Sequence, residues 1–190
     1  MKMIPLRAAL EAVGLSTSHF NHIAYRANLD GMLEALGADP MDHIPPAPRG
    51  YGSGVGRARS ISTDAAAVIG VAARLARHGL THKDALRVAL AFVFMGEMGD
   101  GLRAIVPADQ AAARGPGEAF PADLGPTFAL VIPARLDAPE APAVAFVPAR
   151  DLTAQNLLNW AGENDADAEC VVLLNLSAIV AQIEAAARYN

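Results

Sequence analysis

The chain has 190 residues, of which 53% are apolar and 5% aromatic, and a formal net charge of −5. This length can bury the core of one domain or of two small ones. The single cysteine, Cys170, excludes an intramolecular disulfide. No run approaches the roughly 18 apolar residues that span a bilayer, and the first residues lack the apolar region of a signal peptide. We therefore expect a cytoplasmic protein.

Residues 4–30 have the pattern of a helix, a sharp turn and a second helix. Leu6, Leu10 and Val13 lie three or four residues apart, which predicts one buried face on the first helix. Gly14 follows, and glycine is the residue that most easily adopts the left-handed conformation at which a helix ends. Such a pair of helices around a glycine turn is typical of a helix-turn-helix.

The second helix of this motif is predicted to begin near Ser16 or Thr17, because hydroxyl side chains cap the first N–H groups of a helix. Phe20 and Ile23 would bury one side of it. Short hydrogen-bonding side chains with a cation at one end would cover the other side, and they suit a DNA major groove. These exposed residues are Thr17, Ser18, His19, Asn21, His22 and Arg26.

A proline-rich stretch from Pro40 onward should exclude helix and form a loop or hairpin up to about residue 60. Arg49, Arg57 and Arg59 surround its glycine-rich run, residues 50–56. No Lys-Ser/Thr pair follows the glycines, which excludes a P-loop. We interpret the stretch as a flexible, basic hairpin tip, that is, a wing; a disordered linker is the alternative.

Two further helices are predicted before residue 96. Ser62 or Thr63 would cap the first, which stops at Gly79. Thr81 and Asp84 have the spacing of a reciprocal cap at the start of the second, which runs to about Met95. The buried positions expected for these helices are Ala65, Val68, Ala72, Leu75, Leu86, Leu90 and Phe94.

The order of these parts resembles the MerR-type winged-helix DNA-binding domain over roughly residues 3–95. The matching residues are Gly14-Leu15-Ser16-Thr17 in the turn, Arg57 and Arg59 in the wing, Arg59-Ser60-Ile61-Ser62-Thr63-Asp64 at the next helix start, and Gly79-Leu80-Thr81 at its end. The resemblance implies a helix-turn-helix with a basic wing that binds double-stranded DNA. It does not extend to the family's long dimerisation helix or to its metal or drug sensor.

Composition shifts to Pro, Gly and Ala after residue 105, which predicts a linker at 106–123 between a domain at 1–105 and another at 124–190. Apolar runs at 128–132, 143–147 and 170–174, with helical patterns at 152–161 and 176–187, predict a β-β-α-β-α order and hence an α+β fold. Charge also divides: residues 1–105 carry 11 cations against 9 anions, a net of +2, and residues 106–190 carry 4 against 11, a net of −7. Only the first half could approach phosphates.

No pattern in the sequence indicates an enzyme, a metal site or a cofactor. The pairs His19–His22 and His78–His82 have metal-like spacing but no nearby carboxylate or cysteine partner. The acidic residues 163–169 lack the central glycine of an EF-hand, and Cys170 starts an apolar strand, where a thiol is usually structural. We expect no catalytic residues and no cofactor.

Two functions fit these patterns. The first is a sequence-specific, DNA-binding transcriptional regulator that acts as a homodimer. Its acidic half would hold two copies together, through Leu176, Ile179, Val180 and Ile183, or bind a ligand, RNA polymerase or another protein. The second is a protein–protein adaptor or inhibitor without DNA binding, which would expose an apolar patch. The DNA-binding residues expected for the regulator are Ser16, Thr17, Ser18, His19, Asn21, His22, Arg26, Arg49, Arg57 and Arg59.

Overall fold

The protein combines helices with two small antiparallel sheets, so the α+β class predicted from the sequence is confirmed. The computed structural model describes residues 2–23, 28–44, 60–95, 105–107, 110–133, 142–165 and 170–189. Among these described residues, none of the helices combines the length and the apolar character needed to cross a membrane.

The first half of the chain is mainly helical. A two-stranded sheet joins its beginning to its middle, with Pro5 opposite Ser60. Its elements are β1 (Met3–Pro5), α1 (Leu6–Val13), α2 (Thr17–Asn21), α3 (Leu29–Ala35), α4 (Pro40–His43), β2 (Ser60–Ser62), α5 (Thr63–Arg77) and α6 (His82–Phe94).

The helix boundaries follow the predicted caps closely. Ser62 begins α5 by accepting the N–H of Ala65 at 2.9 Å, and Thr81 begins α6 by accepting the N–H of Asp84 at 3.1 Å. The expectation that Pro40 excludes helix was wrong for α4, because proline is tolerated in the first turn, where its missing N–H has no partner to lose. The predicted wing falls on residues 45–59, outside the described residues, and stays a prediction.

The second half has the predicted β-β-α-β-α order. Its three strands form an antiparallel sheet in the order β4-β3-β5. Its elements are a short 3₁₀ helix (Ala122–Leu124), β3 (Thr127–Ile132), β4 (Ala143–Pro148), a second 3₁₀ helix (Ala149–Asp151), α7 (Ala154–Asn164), β5 (Val172–Asn175) and α8 (Leu176–Tyr189).

Successive strand residues point to opposite sides of a sheet, and in this sheet both sides are covered by buried clusters. Leu130 and Ala145 lie on the side of Trp160 from α7, whereas Ala129, Val131 and Phe146 join the core of the helical half. The two C-terminal helices cover opposite faces, since α7 packs with one cluster and α8 belongs to the other.

The hydrophobic core does not divide at the predicted domain boundary. The apolar side of α8 packs against α1 and α5, so residues from both halves form one cluster. Leu176, Ile179 and Ile183 are all buried there, and Val180 is partly buried. The prediction that these residues form a dimer surface was therefore wrong, because the apolar face of α8 is used within the chain itself.

The predicted linker also contributes to this joining. Arg114, only 5% exposed, places its guanidinium carbon 4.8 Å from the ring centre of Phe92 in α6 and 4.7 Å from that of Phe146 in β4. It donates to the main-chain oxygens of Phe92 and Met95 at 3.0 and 3.2 Å. These carbonyls end α6, where the helix dipole favours a cation. One buried cation thus links the helical half to the sheet.

Removing this cation should destabilise the whole protein. Hydrogen bonds from charged donors contribute about 1.5–3 kcal/mol each, and some of the carbonyls would stay buried, so Arg114→Met should lower the free energy of unfolding by about 3 kcal/mol. Urea unfolding followed by circular dichroism measures this. Arg7→Met is the control, because Arg7 is 90% exposed in its pair with Glu11 and should contribute little. Equal midpoints for the two variants would contradict the proposed role of Arg114.

Gly70 of α5 allows the close approach of α1 and α8. A Cβ atom there would lie 2.9 Å from Val13 Cγ1 and 3.2 Å from Ile179 Cγ2. Both neighbours are 2% exposed, so neither can move aside into solvent.

Two glycine-to-alanine substitutions should therefore change the stability of the protein in opposite directions. Gly70→Ala should destabilise by about 1–2 kcal/mol, because overpacking exceeds the gain of about 1 kcal/mol in helix propensity. Gly162→Ala in α7 meets nothing within 4 Å and should stabilise by up to about 1 kcal/mol. Thermal unfolding of both variants tests the pair; a stabilising Gly70→Ala would show that α1 and α8 are not held this closely.

Candidate nucleic-acid interface

Helix α1 ends in a tight turn at Gly14, and α2 begins three residues later, at Thr17. Gly14 adopts a φ of +69°. Its N–H donates to Glu11 O at 3.2 Å and the N–H of Leu15 donates to Leu10 O at 2.8 Å, the paired bonds of a Schellman ending. Ser16 then accepts the N–H of His19 at 3.3 Å. The predicted start of α2 at Thr17 is confirmed.

Two arginines from α5 hold the carbonyl end of α1. Arg77 donates to Gly14 O at 3.0 Å and Arg74 to Val13 O at 3.5 Å. These oxygens lie at the end of α1 or just beyond it and lack partners within the helix. The cations satisfy them and also suit the negative end of the helix dipole. The end of α5 therefore lies beside the turn between α1 and α2.

The turn between α5 and α6 repeats the chemistry of the first turn. Gly79 has a φ of +96°, the N–H of Leu80 donates to Leu75 O at 3.4 Å, and Thr81 caps the next helix. The sequence carries the same signal, since Gly14-Leu15-Ser16 and Gly79-Leu80-Thr81 match in residue type. The two turns place His78, His82 and Lys83 at exposed positions where two helices meet.

The two turn regions touch through histidines. The ring centres of His22 and His82 are 4.2 Å apart, with the ring planes inclined at 58°. His19 lies one turn before His22, and its Nδ1 is 3.0 Å from Ser16 Oγ. Burial, and then the neighbouring imidazoles of His22 and His19, lower the pKa of His82 below its ordinary value of 6.5. Sequence spacing had paired His82 with His78; the ring contact is instead with His22.

Most described residues of the predicted site are on the surface. Phe20 and Ile23 are buried as predicted. His22 is half-buried against His82 instead of fully exposed. The exposed members are Ser16, Thr17, Ser18, His19 and Asn21. Four predicted contacts lie outside the described residues, namely Arg26, Arg49, Arg57 and Arg59.

The structure adds residues that the sequence interpretation had not assigned to the interface. Arg77 beside Gly14, and Lys83 next to His82, are exposed cations at the same meeting of helices. The repeated Gly-Leu-Ser/Thr motif is the sequence signal that could have suggested them. Only the packing of α5 against α1, however, brings the second turn next to the first.

Other candidate chemistry finds no geometric support among the described residues. No group of three or more His, Cys, Asp or Glu side chains within them is arranged to hold a metal ion. Cys170 is an exposed thiol. A cavity between α5 and α8 is lined by cations, Lys2 and Arg188, and by anions, Asp64 and Glu184. Because these charges balance, the cavity does not favour a phosphate ligand.

No protein-family model, curated protein or solved structure matched the chain. The likeness to a MerR-type domain therefore rests on the short motifs and the order of the parts.

Replacing the turn glycine should destabilise the interface region. Gly14→Ala should cost about 1 kcal/mol, because a side chain disfavours the left-handed conformation, and Gly14→Asn should cost less because asparagine adopts it more readily. A Cβ at Gly14 meets nothing within 4 Å, so steric overlap does not complicate the comparison. Urea midpoints of the two variants test this order. Identical stability of wild type and Gly14→Ala would contradict the left-handed turn.

Proposed function

We propose that the protein is a sequence-specific DNA-binding regulator of transcription whose α2 reads bases in the major groove. The observation that carries the proposal is the exposed polar side of α2, where Thr17, Ser18 and Asn21 are presented by a helix anchored through buried Phe20. Such side chains can donate to and accept from base edges. An anchored helix is what base reading requires, because the contacts depend on a fixed register.

Cations next to α2 support this function, since phosphate contacts must flank the base-reading helix. Arg77 lies at the turn before α2, and Lys83 follows the histidine that touches its end. The predicted wing would add Arg57 and Arg59 directly before β2, whose Ser60 pairs with Pro5 at the start of α1. The acidic second half, with its net charge of −7 from 4 cations and 11 anions, would face away from the phosphates.

A dimer belongs to this proposal, because two copies read two half-sites and gain affinity together. The apolar side of α8 is occupied by α1 and α5, so the contact between copies would use a different surface. RNA polymerase or another protein remains a proposed partner of the acidic half.

The decisive test is selection of duplexes from a randomised library with the full-length chain, followed by affinity measurements at two salt concentrations. If Asn21 reads a base, Asn21→Ala should reduce the preference for the selected sequence over random DNA by about 1–3 kcal/mol. Arg57→Ala and Arg59→Ala should weaken binding to all sequences and each lower the salt slope by about one unit. Asn159→Ala, at an exposed asparagine of α7, is the matched control and should bind as the wild type does.

The alternative function is that of an adaptor or inhibitor that binds another protein. Two exposed apolar residues of the acidic half favour it, Leu158 on α7 with 69% exposure and Leu173 on β5 with 47%. Under this alternative no duplex would be enriched over random DNA. Any residual affinity for DNA would not show the steep dependence on salt concentration that is typical of phosphate contacts.

A further inference from the structure

We propose that His19, His22 and His82 form a phosphate-binding cluster whose contact with the DNA backbone strengthens as pH falls. This inference rests on the proposed function and adds to it a residue from α6, outside the helix-turn-helix, and a dependence on pH. The phosphate in question is a backbone phosphodiester of DNA bound across α2.

The geometry brings two imidazoles into contact and places the third one helical turn before His22. His22 and His82 are in ring contact at 4.2 Å, and the Nδ1 of His19 is anchored at 3.0 Å from Ser16 Oγ. Protonated imidazole donates from both ring nitrogens. In this proposal a backbone phosphate accepts hydrogen bonds from more than one of these rings.

The charges around the cluster determine whether it can bind an anion. On α6, the exposed cation Lys83 is the residue that follows His82 in the chain. The nearby Asp84 accepts from Thr81 Oγ1 at 2.7 Å and lies 3.6 Å from Arg87, so its charge is partly compensated. On α2, the described titratable groups that face His82 are His22 and His19. The local balance therefore favours an anion once any imidazole is charged.

Proton linkage gives the sign of the effect. In the unbound protein, burial and the neighbouring imidazoles lower the pKa of His82, so its charged form is disfavoured there. A phosphate would stabilise the charged form and raise that pKa, so binding takes up protons. Affinity must then increase as pH falls, by up to about tenfold per pH unit for each proton taken up.

The test measures the affinity of the full-length chain for its selected duplex by fluorescence anisotropy, from about pH 7.5 to about pH 6, the range in which imidazoles titrate. Ionic strength is held constant and EDTA is present, so that trace metals cannot bridge the histidines. The wild type should bind about tenfold more tightly per pH unit if one proton is taken up. The double variant His22→Gln/His82→Gln should lose most of the slope, so that its affinity falls furthest below that of the wild type at the lower pH.

A matched control and a competitor make the result specific. His78→Gln removes an exposed histidine that makes no ring contact with any residue in the described part of the chain, and it should keep the wild-type slope. If His78→Gln lost as much of the pH slope as the double variant, or if the double variant kept its slope, the proposed cluster would be refuted. Inorganic phosphate added at equal ionic strength should leave the slope intact; its abolition would indicate a site for free phosphate ions instead of a DNA contact, and would also overturn the inference.

The outcomes also separate this inference from the proposed function. Selective duplex binding without any pH slope leaves the regulator standing and refutes the histidine cluster. If no duplex is bound selectively at any pH, both the proposed function and the histidine cluster are refuted.

Discussion

The architecture depends on the close packing of α1 and α8 against the glycine face of α5. At Gly70 the backbone of α5 lies so near Val13 and Ile179 that even one methyl group would overlap them. This contact packs Val13, the last residue of α1, against α5, while Ile179 of the last helix is buried at the same place. Gly70 is therefore one point at which the helical half and the C-terminal half are held together, because packed interiors tolerate little extra volume.

The buried guanidinium of Arg114 makes the second connection between the halves. It lies between a ring of α6 and a ring of the sheet, and it satisfies the carbonyls that end α6. A cation is costly to bury unless its donors are bonded. The carbonyl end of a helix supplies suitable acceptors together with a favourable dipole. The two connections explain why one core includes residues from both halves, although composition and charge change sharply between them.

The candidate interface arises from two copies of one local motif. Each turn has glycine in the left-handed conformation, a leucine that bonds back to the preceding helix, and a hydroxyl that caps the next helix. Local sequence determines each turn separately. Arg77 and the ring contact of His22 with His82 bring the two turns to one surface. The chemistry offered there, short polar groups beside cations and imidazoles, belongs to the pair and not to either turn alone.

The sequence by itself determined the boundaries of α5 and α6, the turn at Gly14 and the order of the strands, because caps, left-handed glycines and apolar spacing act over only a few residues. It also predicted the burial of Phe20 and the exposure of Asn21 through helical periodicity. The tertiary structure alone decided which faces meet. The apolar stripe of α8 is equally suited to another copy of the chain or to α1 and α5, and the proline- and glycine-rich composition around Arg114 gives no sign of the rings that enclose it. Such pairings depend on contacts between residues far apart in the chain, such as Phe92 with Phe146, for which the local pattern carries no information.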